Sequence, residues 1–279
     1  MSTKERAGWI AAGVVIVLYC LAPIAWIVSL SFKAPSDLAN GQFLPTGGEA
    51  TTQNYADILT GSGSDLFLPA LRNSFGICLI ATAISCVLAM FAAYAIARLD
   101  FPGKKFILGT ALAVAIFPVI SIVTPLFNLW RTIGLYDTWP GLIIPYLSLT
   151  LPISIWTMSA FFREIPWEME QAAQVDGATT WQAFRRVIVP LAAPGVFTTA
   201  IIAFFIAWND FLYGISLTST SAARPVPAAL GLFSGESQFV EPTGSIAAAA
   251  VIVTIPVVVL VLLFQRRIVA GLTNGAVKG

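Results

Sequence analysis

The polar residues with the most ordered spacing lie between Arg163 and Pro190. They include Glu168, Glu170, Gln171, Asp176 and Gln182, followed by Arg185-Arg186. An ordered charged patch between two long apolar stretches suits docking of another protein. Catalysis is a poor fit. The sequence has no histidine, which removes the commonest general base and metal ligand. It has no G-x-x-x-x-G-K-[ST]: Gly103-Lys104-Lys105 lacks both the upstream glycine and the Ser/Thr, so no P-loop binds ATP here. Gly61-Ser-Gly63 lacks the third glycine of a dinucleotide fingerprint, and no two carboxylates share an apolar stretch. Cys20, Cys78 and Cys86 show no metal or redox spacing and read as small apolar filler. A net charge of +1 suggests no nucleic-acid partner. The expectation is a protein that is no enzyme and carries no catalytic residue, cofactor or metal of its own.

The elements that position this patch follow from where charge is missing. Hydrophobic residues make up 57% of the chain and charged residues 10%, against about 25% charged in soluble domains. No charge lies between Arg6 and Lys33, Arg72 and Arg98, Lys105 and Arg131, Asp137 and Arg163, Arg186 and Asp210, or Glu241 and Arg266. Each gap holds 23 to 26 residues, enough for one bilayer-spanning helix of about 20. Only helices or closed barrels satisfy their backbone polar groups in hydrocarbon. The fold expected is therefore all-α, with six transmembrane helices over about 9–31, 72–97, 106–130, 139–162, 190–211 and 244–265. The first is read as an uncleaved helix, because its apolar run is too long for a signal peptide and no clear A-x-A site closes it.

Lys and Arg set the orientation. Lys4, Arg6, Arg98, Lys104, Lys105, Arg163, Arg185, Arg186, Arg266, Arg267 and Lys278 fall on one side. Only Lys33, Arg72, Arg131 and Arg224 fall on the other. This excess places both termini in the cytoplasm of a multi-pass protein in the cell membrane. Outer loops cover 32–71 and 212–243, and a cytoplasmic tail covers 266–279. Prolines 118, 125, 145 and 152 are expected to kink spans three and four.

The patch itself reads as an elbow over 166–186. Pro166 suits a helix start, and Trp167–Gln174 makes about two turns, with Met169, Ala172 and Ala173 on one side. Asp176-Gly177 signals a turn with positive φ. Thr179-Thr-Trp-Gln182 has the pattern of a capping box. At the opposite membrane face, Trp208, Asn209 and Asp210 close span five. Asp210 reads either as a solvated helix end or as a group beside the outer end of a pathway. No other charge approaches the interior of a span, so an ion-coupled transporter is disfavoured.

Ala172-Ala173-x-x-Asp176-Gly177-Ala178, then Phe184 and Val187-x-Val189-Pro190, resembles the EAA motif of ABC-importer permeases. Asn73-Ser74, Ala92-Ala-Tyr94-Ala-Ile-Ala-Arg98, Phe101-Pro-Gly103 and Trp208-Asn-Asp210 resemble the carbohydrate-importer branch of that family. The tail Gly271-Leu-Thr-x-Gly275-Ala-Val277-Lys278-Gly279 is similar to its maltose-type second permeases. Phe161-Phe-Arg163-Glu-Ile-Pro166-Trp167 and Glu241-Pro-Thr-Gly-Ser-Ile246 look like the members that import trehalose.

This resemblance implies a type I permease bundle that forms half of a sugar pathway. It implies that Glu170, Gln171, Ala172, Ala173, Asp176, Gly177 and Ala178 couple to an ATPase, and that Gly275, Val277 and Lys278 touch it. The implied partners are a homologous second permease, two ATPase copies holding ATP and Mg, an extracytoplasmic sugar-binding lipoprotein and the lipid bilayer. One position departs from the family: Gln171 stands where the motif often carries glutamate.

Overall fold

A computed structural model describes the backbone of residues 2–40, 42–44, 50–233 and 242–276, with side chains except at 3, 4, 39, 40 and 265–276. No strand occurs among the described residues. In chain order the helices are α1 (Thr3–Ser31), α2 (Gln53–Leu59), α3 (Ser64–Arg98), α4 (Lys104–Ala115), α5 (Val119–Ile133), α6 (Trp139–Glu164) and α7 (Trp167–Val175). There follow α8 (Thr180–Ala183), a π turn (Phe184–Ile188), α9 (Val189–Leu191), α10 (Ala193–Trp208), α11 (Leu212–Leu217), α12 (Val226–Leu230) and α13 (Thr243–Ala276).

Among the described residues, four helices are long and apolar enough to cross a membrane: α1, α3, α6 and α13. Two bent pairs bring the count to six when each pair is one span. These are α4 with α5, bent by 86°, and residues 180–191 with α10, bent by 71°. Three differences from the sequence reading have physical causes. Span three is broken rather than kinked, because Pro118 has no N–H to extend α4 and instead N-caps α5. α3 begins at Ser64, well inside the outer loop expected over 32–71. The helix runs through Pro69 in its second turn, where the missing N–H leaves the Asp65 carbonyl without its regular helical donor. α13 continues through Arg266 and Arg267 to Ala276 instead of giving way to a tail after residue 265.

The chain divides into two compact units. The first comprises the described parts of 1–69 and 229–256. Here Asn54 donates to the carbonyls of Ser31 (3.0 Å) and Lys33 (2.9 Å), closing the chain around the end of α1. A Cβ on Gly244 would strike the Asn54 amide, so α13 approaches α2 at a glycine. Nearly all of α1 is exposed and apolar on every side, as suits a helix surrounded by lipid.

The second unit comprises 70–228 and 257–276 and holds the candidate site. α3, α6 and α10 meet through small residues and hydroxyls, which allow close approach in lipid. A Cβ on Gly195 would overlap the Phe161 ring, and one on Gly76 the Trp139 ring. Ser85 and Thr150 share a buried hydrogen bond between α3 and α6. Pro145 frees the carbonyl of Gly141, four residues earlier, and the Trp130 indole N–H donates to it at 2.6 Å. The apolar cluster of Ala89, Ala93, Met158, Phe162, Phe184, Ile188 and Ala192 joins α3 and α6 to the π turn.

Candidate functional site

The elbow is a two-part structure whose local signals are plain. α7 starts directly after Pro166 and ends at Asp176. Gly177 turns the chain at φ +88°, in the left-handed region that favours glycine. Thr179 then N-caps α8, with reciprocal hydrogen bonds to Gln182. The following π turn places Phe184 4.7 Å from the Tyr94 ring and 5.5 Å from Trp181. Single π turns cluster at functional sites in helices. This one lies where the elbow enters the bent span.

The two faces of α7 differ sharply. Gln171, Ala172, Gln174, Val175, Asp176 and Gly177 are exposed, and Ala173 and Ala178 are half-buried. Val175 is 86% exposed, so the tip of the elbow presents an apolar side chain beside the turn.

Glu170, expected on that outward surface, is instead buried. It points toward the end of α3. The Tyr94 hydroxyl donates to its Oε1, and the Arg98 Nε lies 4.0 Å from its Oε2. Arg98 donates through Nη2 to the Ile165 carbonyl at 2.5 Å. Its guanidinium sits 4.6 Å from the centre of the Trp167 ring, a cation–π distance. Trp167 and Glu170 are three residues apart, so both lie on one side of a helix. That spacing was the available signal for an inward face. Its target, Arg98, comes from a distant part of the chain.

At the opposite end of the same unit, Trp208 is buried against Phe75 (4.9 Å) and Phe204 (5.1 Å). It therefore packs α10 on α3. Asn209 is exposed and donates to the Phe205 carbonyl. Asp210 is neither a free solvated end nor a free pathway group: it accepts from the Gly214 N–H at 3.1 Å and the Tyr213 N–H at 3.5 Å, holding the start of α11.

Beyond α11 the loop is pinned by Asp137, which the sequence reading did not single out, and by Asn73 and Ser74, which it noted only as part of a family resemblance. Asp137, at φ +58°, accepts from the N–H and hydroxyl groups of both Ser219 and Thr220, with Thr220 Oγ1 at 2.6 Å. Burial pushes the Asp137 carboxyl up, but these four hydrogen bonds outweigh it and leave the pKa below the ordinary value. Asn73 donates to the carbonyls of Ser221 (2.9 Å) and Arg224 (3.1 Å) and accepts from the Trp139 indole. Ser74 accepts from the Val226 N–H at 2.7 Å.

Val277 and Lys278 lie outside the described residues, and Gly275 falls in the last turn of α13.

This arrangement of apolar spans with an exposed elbow between two of them is that of a transporter's membrane subunit. Residues 85–274 match the family model described as the binding-protein-dependent transport system inner membrane component. The chain belongs to this family: it is a non-catalytic ABC-importer permease of the inner membrane. It is 56% identical to the trehalose transport system permease protein SugB of Mycobacterium tuberculosis over 279 residues, covering 100% of both chains. It is 38% identical to the sulfoquinovosyl glycerol transport system permease protein SmoH of Agrobacterium fabrum, covering 97% of this chain and 93% of that one. It is 36% identical to the trehalose/maltose transport system permease protein MalG of Thermococcus litoralis, over 99% and 98%. A chain of the crystal structure of a bacterial ABC transporter involved in import of the acidic polysaccharide alginate shares the fold, with TM-score 0.77 and 23% identity over 95% of this chain and 98% of that one.

Proposed function

We propose that this chain is one of two homologous permeases in an ATP-driven trehalose importer. Its full-length identity of 56% to a trehalose permease carries the substrate assignment. The exposed side of the elbow supports the docking assignment. Gln171, Ala172, Val175, Asp176 and Gly177 form a narrow outward ridge, while Glu170 braces the helix from behind. A ridge of this shape enters a cleft of an ATPase subunit, which holds ATP and Mg on its own residues. Gln171 makes the contact as a neutral amide. Gly275, Val277 and Lys278 reach the ATPase from the C-terminus, which shares the cytoplasmic side with the N-terminus.

Transport proceeds by alternating access. Closure of two ATPase copies pushes the elbows, the spans tilt as largely rigid elements, and the pathway opens outward to a sugar-binding lipoprotein. Asn209 and the loop after Asp210 belong to the outer mouth.

Cross-linking tests the docking. Val175→Cys, in a Cys20→Ser background, should form a disulfide with cysteines placed along the cleft of the ATPase that co-purifies with it. Efficient transport by complexes that never cross-link at any cleft position would contradict the assignment.

A further inference from the structure

α3 carries side-chain anchors at both ends, and they hold the two parts of the second unit that face opposite sides of the membrane. Its inner end holds the elbow: Tyr94 donates to Glu170, and Arg98 pairs with Glu170 and donates to Ile165. Its outer end holds the loop after α11: Asn73 bonds Ser221 and Arg224, and Ser74 bonds Val226. Ser74 and Tyr94 are 20 residues apart, about 30 Å along a helix at 1.5 Å per residue. The anchors therefore span about the thickness of the hydrocarbon core.

The connection between them is stiff. From Ala70 to Arg98, α3 has neither a proline nor a break. The alternatives are less suited to carrying a push. The α4–α5 pair bends by 86° and the span leading to α10 bends by 71°, while α6 contains Pro145 and Pro152. The outer anchors are themselves braced. The Trp139 indole donates to Asn73 at 3.0 Å, and Asp137 clasps Ser219 and Thr220 in the same loop.

We infer that α3 is a strut joining the elbow to the outer loop 219–226, with Tyr94, Arg98, Asn73 and Ser74 as its positioning residues. The inference rests on the reading that the elbow docks the ATPase and that the outer loop faces the binding protein. A displacement of the elbow then moves the outer loop through one rigid element, and a loaded binding protein pressing on that loop signals inward by the same route. In binding free energy such coupling is reciprocal.

Non-additivity distinguishes this role from simple structural support. Mutations at well-separated sites normally add, whereas coupled sites do not. The experiment uses the whole complex in nanodiscs, with trehalose-loaded binding protein as the probe. The readout is the ratio of ATP hydrolysis with and without that protein, for Tyr94→Phe, Asn73→Ala and the double variant.

Each single variant should retain the co-purifying ATPase and lower the ratio by about tenfold, the scale expected for losing a hydrogen bond to a charged group at the inner end. The double variant should fall no further than the weaker single, because the strut is already cut. Ser74→Ala replaces Asn73→Ala if that complex is not recovered. Ratios at the wild-type value, or losses that multiply in the double variant, would overturn the strut while leaving the docking reading intact. A wild-type complex that recovers no ATPase would overturn the docking reading and the strut with it.

Discussion

The Glu170 carboxylate lies 4.0 Å from the Arg98 guanidinium, and both side chains are almost wholly withdrawn from solvent. Among the described residues, neither Arg98 Nε nor Glu170 Oε2 has a hydrogen-bond partner of its own. The pair is held by charge and by the Tyr94 and Ile165 contacts on its other atoms. The elbow's one buried carboxylate thus secures it to its own membrane domain, and partner recognition is left to the exposed residues around Gln171.

Removing one member of a buried ion pair strands the other, at a cost of roughly 3–5 kcal/mol. Arg98→Ala should therefore lower the melting temperature of the purified complex more than Glu170→Gln does. Glutamine retains an oxygen to accept from Tyr94, and it leaves Arg98 its bond to Ile165. A Glu170→Gln complex that melts earlier than Arg98→Ala would show that the pair is not what holds the elbow.

Gly177 offers a test of turn geometry free of packing effects, since nothing lies within 4 Å of a Cβ built there. Its φ of +88° costs an L-residue about 1–2 kcal/mol. Gly177→Ala should weaken ATPase retention modestly. Gly177→Pro, which also loses the N–H bonded to Gln174, should abolish uptake while membrane insertion remains normal. Fractionation and an uptake assay separate the two effects, and unchanged uptake in the proline variant would contradict the assigned turn.

Asp137 should make the outer loop sensitive to acid. Its folded-state pKa is lowered, so the stabilisation is complete above the unfolded value of about 4 and is lost as pH falls through the lower folded value. Asp137→Asn keeps a residue type tolerant of φ +58° but weakens the four-bond clasp. Limited proteolysis should cut near 219–224 faster in Asp137→Asn at neutral pH. The wild type should approach that rate only below about pH 4. Equal cleavage of both proteins at pH 7 would remove the clasp from the account.

Two glycines mark where helices touch. Gly195→Ala would force its Cβ into Phe161 and Gly76→Ala into Trp139, and overpacking of this kind typically costs about 1–3 kcal/mol. Both should lower thermal stability in detergent. Gly109→Ala, with open space around its Cβ, should not. Equal melting temperatures for all three would mean that these contacts are absent.

Much of this architecture was legible from the chain. Charge-free gaps locate apolar helices because transfer to lipid depends on composition, a property of one segment at a time. Pro166, Asp176-Gly177 and the Thr179–Gln182 box show the elbow's start, turn and restart because caps and turns are local. The orientation of Glu170 was not legible, since it depends on Tyr94 and Arg98 of another helix. For the same reason Asp137 escaped notice: its partners Ser219 and Thr220 are more than 80 residues away. Asp210 sat correctly at a helix end, but its capping of α11 required knowing that a short helix follows.

The most direct test of the central claim is an affinity pull-down of this chain from solubilised membranes, paired with labelled trehalose uptake in a strain lacking it. An ATP-driven trehalose importer predicts recovery of an ABC ATPase and a second permease, and loss of uptake that the intact gene restores. Recovery of those partners with trehalose uptake unimpaired would contradict the sugar, and a chain that carries no ATPase would contradict the proposed assembly itself.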